Sequence, residues 1–161
     1  MDKIAKLVLI IFIGLLFFSC GIKKETTQKT GHIYCIKEIK IPSAEATALD
    51  VFNKFVSDAI LMAGNRIECS TRTTRFLSIN IRKISFDEIG YSSAQRATIY
   101  KMNIKLDLEI ENINGDTILS KTIKETTQYV GTGLRADFEK RYALEDLASL
   151  VEVRIYSLLK E

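Results

Sequence analysis

The chain has 161 residues, 47% of them hydrophobic, with 23 basic and 20 acidic side chains and one histidine. That length supports one domain with a substantial core, because a chain of ~150 residues buries roughly two thirds of its unfolded surface. A formal charge of only +3 provides no concentrated basic field, which excludes nucleic acid as a partner.

The N-terminus carries Lys3 and Lys6, then an apolar run over residues 7–18, then Ser19-Cys20-Gly21. A basic start, a short apolar core and a small residue before the break describe a secretory signal over residues 1–19. The run is shorter than the ~20 apolar residues that a spanning helix needs. The stretch Leu16-Phe17-Phe18-Ser19-Cys20 resembles a bacterial lipoprotein box. On that reading Cys20 takes a diacylglycerol and becomes the first residue after cleavage, so acyl chains hold the protein to the membrane. Gly21, where an inner-membrane lipoprotein commonly has aspartate, favours the outer membrane. Residues 20–31 are polar and aperiodic and read as a tether, whose last eleven residues extend ~35 Å. His32 follows as a solvent-exposed linker residue, and residues 32–161 form a single domain.

Residues 33–41 have strand composition and end at Pro42, the only proline. Ser43 offers a helix N-cap with Glu45 in the first turn. Ala48, Phe52, Phe55, Ala59 and Met62 repeat at helical spacing over residues 44–63, and Gly64-Asn65 closes the helix. Residues 66–70 form a short strand candidate before a polar break at 71–74. Along residues 76–86, Leu77, Ile79 and Ile81 share one parity while Ile84 and Phe86 take the other. One extra residue near Arg82-Lys83 restores the phase, so a β-bulge is expected there. Residues 87–96 read as a loop.

Over residues 97–113 Met102, Ile104, Leu106, Leu108 and Ile110 alternate strictly with Lys101, Asn103, Lys105, Asp107, Glu109 and Glu111. Such alternation gives an antiparallel strand with one buried and one wet face. Asn114-Gly115-Asp116 makes a hairpin turn, and residues 117–130 return as a Thr-rich strand. A long C-terminal helix carries Leu144, Leu147, Val151, Ile155 and Leu158 inward, Ala148 and Arg154 on its flank, and Glu139, Glu145, Asp146 and Glu152 in water. The order predicts an α+β two-layer sandwich, with two helices packed on one face of a mainly antiparallel four- to five-stranded sheet.

No residue pattern announces catalysis. Gly131-Thr132-Gly133-Leu134-Arg135-Ala136 matches GxGxxA, but no second parallel strand follows to complete a dinucleotide site. It reads as a glycine turn into a helix. No histidine stands in the folded region to activate a serine, and no G-x-S-x-G occurs. One histidine and no CxxC leave metal binding without ligands. The expectation is a protein that is not an enzyme and holds no cofactor or metal. Cys35 and Cys69 read as small hydrophobic residues in strands, although an oxidising periplasm would allow them to pair. Basic residues near loops are Arg82, Lys83, Arg96, Lys101, Arg135, Lys140 and Arg141, and guanidinium groups bind phosphate in a bidentate way. Arg135 is the best placed of these, near a helix N-terminus whose free amides favour anions.

Two segments carry a family resemblance. The stretch Ala97-Thr98-Ile99-Tyr100-Lys101-Met102-Asn103-Ile104, with its strand, NGD turn and second strand to Tyr129, is similar to the central hairpin of the LptE-type lipopolysaccharide-assembly lipoproteins. Ala143-Leu144-Glu145-Asp146-Leu147-Ala148 and Val153-Arg154-Ile155-Tyr156-Ser157-Leu158-Leu159 look like their final helix. The resemblance implies an outer-membrane lipoprotein, lipid-anchored on the periplasmic side. It would plug an LptD-type β-barrel, assist that barrel's assembly and bind lipopolysaccharide on its way to the surface. Arg96 and Arg135 are the positions nearest the family's lipid-binding basic residues. The other readings are an accessory lipoprotein of a phospholipid-transport system, with an apolar cleft between helix and sheet, and a pilotin-like structural lipoprotein without a ligand.

Overall fold

The computed structural model describes residues 31–42, 48–91, 93, 97–131 and 136–160. In chain order these form β1 (Ile33–Lys40), α1 (Leu49–Met62), β2 (Arg66–Ile67), β3 (Arg75–Tyr91), β4 (Ala97–Asn112), β5 (Thr117–Val130) and α2 (Ala136–Lys160). The strands make one sheet in the order β2-β1-β3-β4-β5. The two-layer α+β arrangement is the expected one, with a mixed sheet: β1 runs parallel to β2 and β3, and the long strands β3, β4 and β5 are antiparallel. A helix between β1 and its neighbours returns the chain to the same end of the sheet, which makes those pairings parallel.

The core lies between the helices and one sheet face. Met102, Ile104, Leu106, Leu108 and Ile110 of β4 are all buried, as their alternation requires. Their partners across β3 are Phe86, Ile84, Ile81, Ile79 and Leu77. This set keeps one face only because the register shifts between Ile81 and Lys83; the bulge stands where the sequence parity broke. From the helices come Phe52, Val56, Ala59 and Ile60 of α1 and Ala143, Leu147, Ala148, Val151 and Ile155 of α2. Apolar burial of this kind contributes about 25 cal/mol per Å².

Several expectations are corrected. Residues 87–91 continue β3 instead of forming a loop, because β4 extends far enough to pair Asp87 with Lys101 and Glu88 with Tyr100. Ser43 and Glu45 lie outside the described residues, as do residues 1–30. The apolar stripe of α1 is rotated: Val56 and Ile60 are buried, whereas Met62 in the last turn is 55% exposed. That helix ends as Gly64 implied. Gly64 has φ 81°, its N–H donates to Leu61 O at 2.9 Å, and Asn65 N–H donates to Ile60 O at 3.2 Å. Those two bonds form a Schellman closure. In α2, Glu152 is partly buried against α1 instead of fully solvated. Desolvation, reinforced by the Asp58 carboxylate, raises its pKa.

Cys35 and Cys69 form a disulfide, with Cα atoms 4.7 Å apart, which overturns the reading of two unpaired thiols. Strand composition around each cysteine concealed that β1 passes the turn after β2. Thr73 holds that turn: its hydroxyl donates to Glu68 O at 2.8 Å and accepts from Ser70 N–H at 3.0 Å. His32 is likewise fixed. Its N–H donates to Asn65 Oδ1 at 2.9 Å and its ring Nε2 meets Arg75 at 3.1 Å. Desolvation, then the Arg75 charge, lowers its pKa. The chain therefore enters the domain beside the start of β3, at the end of the sheet that carries the 112–117 hairpin.

Candidate functional site

The sheet face turned away from the helices is an ordered polar surface. Thr122 of β5 donates its hydroxyl to Asp107 of β4 at 2.7 Å, and Arg82 of β3 pairs with the same carboxylate. The Thr122 hydroxyl, followed by the Arg82 guanidinium, holds the Asp107 pKa below its ordinary value. Four residues along β4 and β5, Thr126 donates to Asn103 Oδ1 at 2.9 Å, and Asn103 Nδ2 donates to Asp87 Oδ2 at 2.7 Å. Near the hairpin, Lys37 pairs with Glu111 at 3.1 Å and Thr117 donates to Glu109 at 2.8 Å. All but one of these links join neighbouring strands through their wet sides; the Lys37–Glu111 pair reaches from β1 across β3 to β4. Cross-strand pairs of this type each contribute roughly 0.2–1 kcal/mol.

The end of the sheet remote from the chain's entry has a different character. Ile89, Tyr91, Ile99 and Val130 are exposed there. Tyr100 and Tyr129 stack with ring centroids 5.2 Å apart. Tyr91 donates its hydroxyl to Glu88 at 3.3 Å; the Glu88 carboxylate raises its pKa. Gly131 closes this end, because a Cβ there would stand 2.6 Å from the Tyr100 ring. Gly131→Ala is expected to displace that stack and cost about 1–2 kcal/mol, measured by urea unfolding; an unchanged midpoint would show that the ring moves freely.

Cys20, Arg96 and Arg135 all lie outside the described residues. The strands flanking the two arginines do meet: Tyr91 pairs with Ala97, and Ile99 pairs with Val130. The β3–β4 and β5–α2 connections therefore leave the same end of the sheet. Among the other basic residues singled out, Arg141 pairs with Glu145 at 3.4 Å and Lys140 lies 4.2 Å over the Phe86 ring. The tyrosine and aliphatic cluster was missed in the sequence, although the β4 alternation continued backwards already placed Tyr100 inward and Ile99 outward.

A shallow groove runs between the edge strand β5 and α2, lined by Lys121, Ile123, Glu125, Arg154 and Leu158. The Arg154 Nε–Glu125 Oε1 pair, 2.5 Å apart, crosses it. The helix–sheet interface itself is filled by side chains such as Phe52, Ile60, Leu106 and Ile155. Among the described residues no group of three or more histidine, cysteine, aspartate or glutamate side chains converges as a metal site. No described helix is long and apolar enough to cross a membrane.

No protein-family model matches the sequence, and no curated protein matches it. The fold does match solved structures. Rare lipoprotein B from Shewanella oneidensis superposes with a TM-score of 0.56 at 10% identity, over 80% of this chain and 91% of that one. A DUF330-family protein from Xanthomonas campestris gives 0.56 at 15% identity, over 81% and 82% of the two chains. PelC from Paraburkholderia phytofirmans, solved as a dodecamer, gives 0.56 at 11% identity, over 81% and 90%. The chain therefore has a fold found in bacterial lipoproteins.

Proposed function

We propose that this protein is an outer-membrane lipoprotein, anchored through Cys20, that seats in an LptD-type β-barrel, assists its assembly and contacts lipopolysaccharide in transit. On this reading it is a binding and assembly protein, not an enzyme. The observation that carries it is the pairing of a fully packed helix–sheet core with an ordered, cross-linked polar sheet face. A plug needs that combination, because the lumen of a large barrel is polar and hydrated. A carrier of apolar lipid needs the opposite, an open cleft between helices and sheet. The fold shared with rare lipoprotein B agrees with the hairpin and final-helix resemblance seen in the sequence. A second reading, a ring-forming structural lipoprotein, is favoured by the equal likeness to dodecameric PelC. It requires self-association of the lipidated chain, which sizing in detergent reveals.

Depletion of the protein tests the reading. Surface lipopolysaccharide and correctly assembled barrel should fall together; normal levels of both would refute it. The Arg96→Ala, Arg135→Ala double variant should weaken lipopolysaccharide binding about tenfold, as loss of two charge-assisted contacts implies, with thermal stability unchanged. Unchanged affinity would remove both arginines from the site.

A further inference from the structure

Three lysines stand in one row across the open sheet face. Lys83 of β3 is directly opposite Lys105 of β4, and Lys105 is directly opposite Lys124 of β5. Like charges in directly opposed positions oppose folding. Elsewhere on this face the sequence places cations against carboxylates: Lys37 with Glu111, Arg82 with Asp107, and Lys101 opposite Asp87. Among the described residues, no carboxylate forms a close ion pair with any lysine of the row, although the Lys105 charge is, after the Thr122 hydroxyl and Arg82, one of the smaller influences that lower the Asp107 pKa.

Protection of a sheet edge against pairing explains lysines on edge strands. It accounts for Lys124 on the edge strand β5 and for Lys83, which lies beyond Asn80 where pairing with β1 ends, but not for Lys105, which has a paired strand on each side. The three side chains line a depression of about 210 Å³ together with Ser85, Asn103, Ile104, Thr126 and Glu125, whose carboxylate is paired with Arg154 of α2. With strands ~4.8 Å apart, the row spans ~10 Å, the reach of two neighbouring phosphate groups. Asn103 is already oriented by Thr126 and Asp87, so the rim is fixed while the lysine stems remain adaptable. Ammonium groups on flexible stems suit phosphate as point charges.

We infer that Lys83, Lys105 and Lys124 form an anion site on the open sheet face for a ligand bearing clustered phosphates. The site depends on the lipoprotein reading only for where its ligand comes from, a membrane lipid or a soluble phosphate. It is separate from the Arg96 and Arg135 connections, since the row crosses the middle of the strands and not their end. Without ligand the row opposes folding; with ligand that repulsion becomes attraction to the bound anion.

The test uses the full lipidated chain in a neutral detergent at low ionic strength. Inorganic tripolyphosphate is titrated calorimetrically, and mixed micelles with or without phosphatidic acid serve as the lipid-borne arm. Tripolyphosphate should bind and raise the melting temperature, and Lys105→Gln should weaken binding about tenfold or more, as expected for a charge-assisted contact. Without anion, Lys105→Gln should itself melt higher than the wild type. Lys121→Gln, on the opposite face of β5, should leave binding unchanged. Displacement of tripolyphosphate by phosphatidic acid micelles supports the site and assigns it to a membrane lipid; binding of tripolyphosphate alone supports it and assigns it to a soluble phosphate. Equal binding by the wild type and Lys105→Gln, or no binding of either anion, overturns the inference. Neither result depends on a barrel partner, so failure here is distinct from failure of the proposed function.

Discussion

Leu106→Ala is expected to destabilise the domain by about 3–5 kcal/mol, the range seen when a fully buried leucine leaves a cavity that cannot collapse. Leu106 is completely buried, between Ile81 of β3 and Ile123 of β5 in the ladder. Strands bonded on both sides cannot close in to fill the gap. Domains are stable by only ~5–15 kcal/mol, so this one change removes a large share. In urea unfolding the midpoint should fall with the slope retained. A loss below about 1 kcal/mol would mean that the helices relax onto the sheet, in conflict with the packed interior required of a plug.

The Cys35→Ser, Cys69→Ser double variant is expected to lose roughly 3–4 kcal/mol, on the chain-entropy account of a loop this long. The two cysteines are 34 residues apart in sequence, so the bond closes off α1 and β2 together in the unfolded chain. It also ties down β1, whose outer neighbour β2 has only two residues. Thermal melting should fall by about 10 °C, since each kcal/mol shifts the midpoint of a domain this size by ~2–4 °C. Wild type treated with reductant should melt with the serine variant. Melting of both within a degree or two of the oxidised protein would show that β1 is held by the sheet alone.

Much of this architecture was legible where chemistry alternates with a fixed period. The β4 pattern from Met102 to Ile110 fixed both faces of the central strand, and the parity break at Arg82-Lys83 marked the bulge. Gly64 and Gly115, both with positive φ, marked the ends of α1 and the hairpin. What escaped was tertiary. No local signal shows that Cys35 and Cys69 face each other, because β1 and the turn after β2 meet only once the sheet has formed. The extension of β3 to Tyr91 was hidden by polar residues that are strand-like only with β4 beside them. Val56 and Ile60 displaced Met62 from the helix stripe because α2 covers one side of α1. The lysine row was likewise invisible, since Lys83, Lys105 and Lys124 become neighbours only through register.

Whether the polar face sits inside a barrel is decided most directly by co-purification. The tagged, lipidated full chain is extracted from native membranes in mild detergent, and the material that accompanies it is identified by mass spectrometry. The account predicts an outer-membrane barrel of the lipopolysaccharide-export type, near one copy for each copy of this protein. An inner-membrane transporter, a secretin or no partner at all would contradict it.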